Sequence, residues 1–281
     1  MVGYEGLRPS AALAQMKKDF VREEILDGEW DARLLLEHVL EKELSQILMA
    51  DDKVLSPQAG QALEALVARR MEGEPVQYLT NRAYFYGRPF YVDNRVLIPR
   101  RDTEAILAAA LERLTPGMAV LDLCCGSGCI GVTLALEEDI CLTLGDISTG
   151  ALAVTAENCR RYGVDANLVE GDLFQGHEKE AYDMIVTNPP YVEDSAILAK
   201  EVSAHEPENA LFAGAEGLDV IARIVVEAKD YLRPGGHLLI EHGYGQGMAV
   251  EQLCKENGYH MVQGYRDMEH RDRVVAARSG V

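Results

Sequence analysis

Apolar residues recur at three-to-four spacing through the first part of the chain, then give way to short unbroken runs. Between Ala11 and Glu72, Leu34, Leu35, Val39 and Leu40 form one stripe and Leu63, Leu66, Val67 and Met71 another. That spacing puts apolar side chains on one helix face. Asp31 after Trp30, and Ser56-Pro57 ahead of the second stripe, are the expected helix starts. The pattern predicts a small helical bundle over residues 1–75, with the stripes as its core. Gly73-Glu74-Pro75 ends it. The bulky residues of Ala83 to Val92, set around Gly87-Arg88-Pro89, predict a β-hairpin inside a linker spanning residues 76–98. Tyr84, Phe85, Tyr86, Phe90 and Tyr91 are read chiefly as packing, with some of them expected at a substrate cleft.

From Arg101 onward the pattern changes to strand-length apolar runs. They fall at Ala119 to Leu123, Cys141 to Gly145, Asn167 to Val169, Met184 to Val186 and Leu238 to Ile240, each followed by a helical or loop segment. Such alternation predicts parallel strands with crossover helices, an α/β doubly wound sheet over residues 99–281 whose ligands lie at the strands' carboxyl ends. His260 to Gly264 and Arg273 to Ala277 add two further strand candidates. The stretch after Tyr191 to about Gly217 is expected to be irregular and to cover a substrate.

Composition narrows the class of function. With 46 acidic against 27 basic side chains, the net charge is −19, and a field of that sign repels phosphate backbones. Nucleic acid is therefore disfavoured as a direct substrate; the nearest basic patch is Arg95, Arg100 and Arg101, with Arg82 and Arg88 before it. Cys124, Cys125, Cys129, Cys141, Cys159 and Cys254 show no paired metal-ligand spacing, so no metal is expected and buried reduced thiols are. No secretory signal or membrane span is read, and a cytoplasmic monomer is the expectation.

Chemistry concentrates at strand ends. Asn188, Pro189, Pro190 and Tyr191 follow the apolar run Tyr182 to Thr187. Two prolines make the turn stiff and remove backbone donors, so its carbonyls act as acceptors, and the Asn188 side-chain oxygen adds another. Two acceptors facing one NH2 group hold it with the nitrogen lone pair toward an electrophile, while the Tyr191 ring covers the flat face. After the first strand comes Asp122-Leu123-Cys124-Cys125-Gly126-Ser127-Gly128, a strand-to-helix turn that lets a ligand approach the backbone. Gly126, Gly128 and Gly131 match a dinucleotide fingerprint, with Asp146 about 20 residues on as a ribose-binding carboxylate. A nicotinamide dehydrogenase is thus an alternative. Asp122, however, would repel a pyrophosphate and welcome the sulfonium and ammonium of S-adenosylmethionine. Asp172 suits the adenine amine, and Leu173 its ring. The joint placement of these groups favours S-adenosylmethionine.

With those residues in hand, the chain resembles the peptide chain release factor N5-glutamine methyltransferases, the PrmC/HemK family of class I S-adenosylmethionine-dependent methyltransferases. The likeness runs from about Asp31 to the C-terminus. It rests on Gly73-Glu74-Pro75, Leu97-Ile98-Pro99-Arg100, Asp102-Thr103-Glu104, the Asn188 to Tyr191 tetrapeptide and Glu241-His242-Gly243. The tetrapeptide alone is shared with amino-methyltransferases of nucleic acids, which normally carry a basic target-recognition region not found here. The resemblance implies a Rossmann-like catalytic domain, with the N-terminal bundle recognising the release factor. It places cofactor contacts on Cys124, Cys125, Gly126, Ser127 and Gly128, on Asp146 for the ribose, on Leu173 beside adenine and on Asn188 near the sulfonium. It assigns Asn188, Pro189, Pro190 and Tyr191 to the glutamine of a release factor's Gly-Gly-Gln loop, with S-adenosylhomocysteine as product. Cys124 stands where many relatives have glycine, so a positive φ is not expected there. Arg101 stands where proline is common.

Overall fold

The helical stripes fold into one of two units that the computed structural model, which describes residues 3–280, divides between. The first unit runs to Arg82 and includes Ala199–His205. Its helices are α1 (Pro9–Arg22), α2 (Gly28–Leu40), α3 (Leu44–Met49), α4 (Pro57–Met71), α5 (Val76–Leu79) and, from the later segment, Lys200–His205, which is α9 in chain order. Met16, Phe20, Leu35, Leu36, Leu63 and Val67 form its core. Ser56 caps α4 as expected, its hydroxyl accepting from the Ala59 N–H at 3.2 Å. Asp31 does not start a helix. α2 begins three residues earlier, after Asp27 at φ 59°, because Gly28 has no side chain to collide with Phe20, where a Cβ would come within 2.6 Å. Asp31 is instead buried one turn in and meets Arg70 of α4 at 2.7 Å, while Arg70 also meets Glu201 of α9 at 2.8 Å. A buried charge held on both sides fixes how these helices register more than it stabilises them.

In the second unit, β1 (Ala83–Phe85) and β2 (Arg88–Phe90) form the expected hairpin. Its turn sits at Tyr86 (φ 49°) and Gly87 (φ 73°), both left-handed, as a two-residue turn matched to strand twist requires. Pro89 therefore lies within β2 rather than in the turn, where an edge strand tolerates it. Phe85 and Phe90 are buried; Tyr84 and Tyr86 are exposed.

Besides two short 3-10 turns, Glu208–Ala210 and Ala228–Asp230, the remaining elements among the described residues are α6 (Glu104–Leu111), β3 (Ala119–Leu123), α7 (Cys129–Glu137), β4 (Cys141–Asp146), α8 (Thr149–Tyr162), β5 (Ala166–Glu170), β6 (Tyr182–Thr187), α10 (Asp219–Glu227), β7 (Leu232–Glu241), α11 (Gly247–Glu256), β8 (His260–Arg266) and β9 (Asp272–Arg278). The strands form one sheet in the order β5-β4-β3-β6-β7-β9-β8. β3 to β7 are parallel, as read; the two tail strands make the far edge antiparallel, giving a mixed sheet. Apolar side chains cover both faces, Ile106, Val120, Leu144 and Val186 on one and Leu121, Ile185, Ile224 and Leu238 on the other. Strand order reverses between β3 and β6. That reversal opens a crevice at the carboxyl ends of these strands, where the glycine turn and the Asn188 tetrapeptide both emerge.

Candidate active site

A cavity of about 450 Å³ occupies this crevice, within the range of roughly 300–1,000 Å³ typical of small-molecule sites. Its wall includes Cys124, Cys125, Gly126 and Ser127 after β3, Asp146 after β4, Asp172 and Leu173 after β5, and Asn188 and Pro190 after β6. Four successive strand ends thus converge on one space, bringing together most of the residues singled out from sequence. Gly128, Asp122, Pro189 and Tyr191 are not on the wall. None of the hairpin aromatics is either, so the expectation that some line a cleft does not hold for this cavity.

The glycine turn is tighter than its sequence suggested. Cys124 has φ 59°, Gly126 φ 55° and Gly128 φ 75°, so Cys124 does adopt the left-handed conformation that was not expected of it. The turn must reverse between the end of β3 and the start of α7 within a few residues, and the Cys125 N–H is fixed on the Gly145 carbonyl at 3.0 Å. Meeting both demands puts the backbone in a region that costs a residue with a Cβ roughly 1–2 kcal/mol. At Gly131 a Cβ would stand 2.6 Å from Leu144 and 3.0 Å from the Asp122 Cβ, so that glycine lets α7 lie close on the sheet.

The acidic residues divide into a buried one and two on the wall. Asp122 is fully buried under the turn, where its Oδ2 accepts the Gly131 N–H at 2.8 Å and its Oδ1 has no hydrogen-bond partner among the described residues. Burial pushes its carboxyl up to about 7 against the help of that N–H, and the Asp146 charge adds to the rise. Asp122 therefore braces the turn from behind instead of reaching the cavity. Asp146 accepts the Gly126 N–H on Oδ2 and the Ser148 N–H on Oδ1, each at 2.9 Å. Burial raises its carboxyl even so. Asp172 is held by Arg223 of α10 through two bonds, at 3.3 and 3.0 Å. Each oxygen keeps a second lone pair for a ligand hydroxyl or amine.

The tetrapeptide is anchored from below. Asn188 Nδ2 donates to Thr103 Oγ1 at 3.3 Å, and among the described residues nothing donates to Asn188 Oδ1. Tyr191 donates its hydroxyl to Glu241 Oε1 at 3.2 Å, so the side chain is tied to the end of β7 and its ring packs among the apolar residues of that face. Burial, reinforced by Glu241, pushes the Tyr191 hydroxyl well above the usual phenol range. On the opposite wall Arg100 pairs with the buried Glu206, which also accepts the Ile98 N–H at 3.2 Å, fixing the Leu97 to Arg100 segment.

Residues 102–206 match the Methyltransferase small domain and residues 11–80 the PrmC N-terminal domain. A release factor glutamine methyltransferase of Geobacter sulfurreducens is 40% identical over 258 residues, 91% of this chain and 89% of the relative. One from Neisseria gonorrhoeae is 37% identical over 252 residues, 88% of this chain and 92% of the relative. The chain belongs to the release factor glutamine methyltransferase family. Among solved structures, a 16S rRNA methyltransferase of Thermus thermophilus in complex with AdoMet and guanosine has a TM-score of 0.54 at 21% identity, over 70% of this chain and 49% of the other; that likeness is one of fold. The sheet is accordingly that of class I methyltransferases.

Several groups that shape the site were passed over in reading the sequence. Thr103 and Arg223 stand on the wall, and Glu241 is buried beneath Tyr191, whose hydroxyl it accepts. Thr103 and Glu241 sat inside motifs that carried the resemblance, but no role was attached to them. A usable signal existed for Glu241: a carboxylate closing the apolar run Leu238 to Ile240 must be buried, and buried carboxylates demand partners.

Proposed function

We propose that this protein transfers a methyl group from S-adenosylmethionine to the side-chain amide nitrogen of the glutamine in the Gly-Gly-Gln motif of peptide chain release factors. The observation that carries this reading is Asn188, a residue of the cavity wall whose NH2 donates to Thr103 and whose Oδ1, among the described residues, accepts no hydrogen bond. Such an acceptor suits a substrate that arrives with an NH2 group.

The donor set fits S-adenosylmethionine and not a dinucleotide. The Gly126 N–H, which would greet a pyrophosphate, already donates to Asp146, and the wall carries the carboxylates of Asp146 and Asp172. Asp146 would take the ribose hydroxyls, Asp172 the adenine amine and Leu173 the ring, with Cys124 to Ser127 as the floor. The bound cofactor supplies a methyl carbon activated by a cationic sulfur.

The chain's own residues position the acceptor. An amide nitrogen is a weak nucleophile because its lone pair is delocalised, so placement and charge stabilisation are the main help available. Asn188 Oδ1 would accept from the substrate NH2, and that bond strengthens as the nitrogen gains positive character; Pro189, which is not on the cavity wall, would serve by stiffening the turn. Pro190 stiffens the turn and Tyr191 closes it. The amide proton leaves to water after transfer. Asn188→Ala should lower single-turnover methylation by at least about tenfold, the scale of one transition-state hydrogen bond; an unchanged rate would remove Asn188 from this role.

The domain roles belong to the same reading: residues 1–75 recognise the release factor, 76–98 link, and 99–281 catalyse. The match of residues 11–80 to the PrmC N-terminal domain supports this, as do Leu26 and Met49, which are 86% and 89% exposed. The protein would act as a cytoplasmic monomer on a protein substrate; among the described residues no helix is long and apolar enough to cross a membrane. Labelled-methyl transfer assays on intact release factor, on a factor with Gln replaced by Ala in the loop, and on nucleic acid test the proposal. Label on the first alone supports it; label on nucleic acid or on the Ala variant overturns it.

A further inference from the structure

Three stretches of backbone that lie far apart in the sequence meet at one side chain, that of Gln246, the residue just before α11. Its Oε1 accepts the Gly243 N–H at 2.8 Å, and its Nε2 donates to the Tyr191 carbonyl and to the Glu216 carbonyl, each at 3.1 Å. One donor and two acceptors around the amide leave it a single orientation. The Glu216 stretch presses on the same carbonyl: Gly217, at φ 67°, lies where a Cβ would come within 2.2 Å of the Tyr191 oxygen. Just beyond Tyr191 the chain pairs with the returning segment, the Val192 N–H bonding to the Leu211 carbonyl at 2.8 Å and the Ala213 N–H to the Val192 carbonyl at 2.9 Å. That segment comes directly from Pro207, Asn209 and Ala210 on the cavity wall.

We infer that Gln246 is a positioning residue for methyl transfer, whose side-chain amide pins the exit of the tetrapeptide so that Asn188 meets the acceptor amide in one place. The single bond from Asn188 to Thr103, at 3.3 Å, holds only the near end of the turn. Between Asn188 and Tyr191 both intervening residues are prolines with fixed φ, so few torsions remain to absorb a movement. A shift of the Tyr191 carbonyl therefore carries back to Asn188, and a misplacement of about 1 Å in a reacting geometry costs on the order of a hundredfold in rate. Gln246 itself is only part-buried, so water can reach the three backbone groups once the amide is removed. Its loss is thus felt in placement of the turn before it is felt in folding.

This inference rests on the proposed methyl transfer, and wild-type methylation of release factor is the control for that reading. Q246A should lower kcat by about tenfold or more, while S-adenosylmethionine affinity by calorimetry stays within about threefold, because Gln246 bonds to none of the strand ends that hold Cys124 to Ser127, Asp146 and Asp172. Q246E has the same shape and keeps an acceptor for the Gly243 N–H, but turns an oxygen onto the two carbonyls, so its kcat should be no higher than that of Q246A. In an Asn188→Ala background the group being placed is gone, and Q246A should lower kcat by less than about twofold further. A residue that only supported the fold would cost the same in both backgrounds. Wild-type kcat in Q246A, a Q246E faster than Q246A, an equal loss from Q246A with and without Asn188, or cofactor affinity falling as far as kcat would overturn the inference. The Q246A comparisons decide the matter even where Q246E fails to fold. An inactive wild type would instead sink the methyl-transfer reading.

Discussion

Cys124 holds a φ of 59° at the first position of the cofactor turn, a conformation that glycine adopts freely and other residues only under strain. The surroundings over-determine it, with the Cys125 N–H locked to β4 and Asp122 bracing α7 from beneath. Replacing the thiol confounds two effects, lost packing and relieved backbone, so the informative comparison is between two variants that both lack sulfur. Cys124→Gly should be more stable than Cys124→Ala by roughly 0.5–1 kcal/mol, the left-handed penalty less glycine's extra freedom in the unfolded chain. Urea unfolding of both variants checks it; equal midpoints would show that the turn relaxes once the sulfur is gone. The thiol itself is a poor nucleophile here, since burial pushes it up to about 12.

At the scale of elements, Asn158 of α8 is the joint between hairpin and cofactor turn. Fully buried, it accepts the Tyr91 N–H at 2.7 Å and donates to the Tyr91 carbonyl at 3.0 Å and the Ser127 carbonyl at 2.8 Å. Asn158→Ala would strand three backbone groups, and each unsatisfied buried group costs about 1–3 kcal/mol. We expect a loss of at least about 2 kcal/mol in urea unfolding together with weaker S-adenosylmethionine binding by calorimetry; weakened stability with unchanged affinity would show that the turn does not depend on this anchor. No sequence signal marks such a joint, because its partners lie 67 and 31 positions away. The elements themselves were readable wherever burial is one-sided or complete. β3 and β6 were found because central parallel strands are unbroken apolar runs, and α4 because its stripe follows a Ser-Pro start. β5 was read short since it is the sheet's edge and largely exposed, and α9 was missed since none of its six residues is buried. In the site, the glycine turn and the tetrapeptide were legible because each is contiguous. The bonds from Asn188 to Thr103 and from Tyr191 to Glu241 were not, because their ends lie 85 and 50 positions apart and meet only in the folded chain.

For the molecule as a whole, two carboxyls bury themselves in the face of a net charge of −19, and this sets how stability responds to pH. Asp122 and Glu241 are both pushed up to about 7, in each case by burial first, opposed at Asp122 by the Gly131 N–H and at Glu241 by Thr103, Arg273 and Tyr191. In the unfolded chain such groups titrate near roughly 4. Between about 4 and 7 these two groups therefore bind more protons in the folded state than in the unfolded one, and their contribution to stability falls as pH rises through that window and levels off above it. Glu157 works the other way: Arg160 and Arg161 pull its carboxyl down to about 2, so its contribution is complete above the unfolded value and fades only in acid. Burial pulls His38, His177, His237 and His242 down, and these imidazoles act with the opposite sign as pH rises, so the Asp122 share is read from a variant compared with the wild type at constant ionic strength. Asp122→Asn mimics the protonated carboxyl, keeps an oxygen for the Gly131 N–H and removes one of the two titrations. Its melting temperature should lie close to that of the wild type at pH 5 and above it at pH 8. Parallel curves for the two proteins across that range would mean that Asp122 does not change its protonation on folding, and that the acid beneath the cofactor turn stays charged.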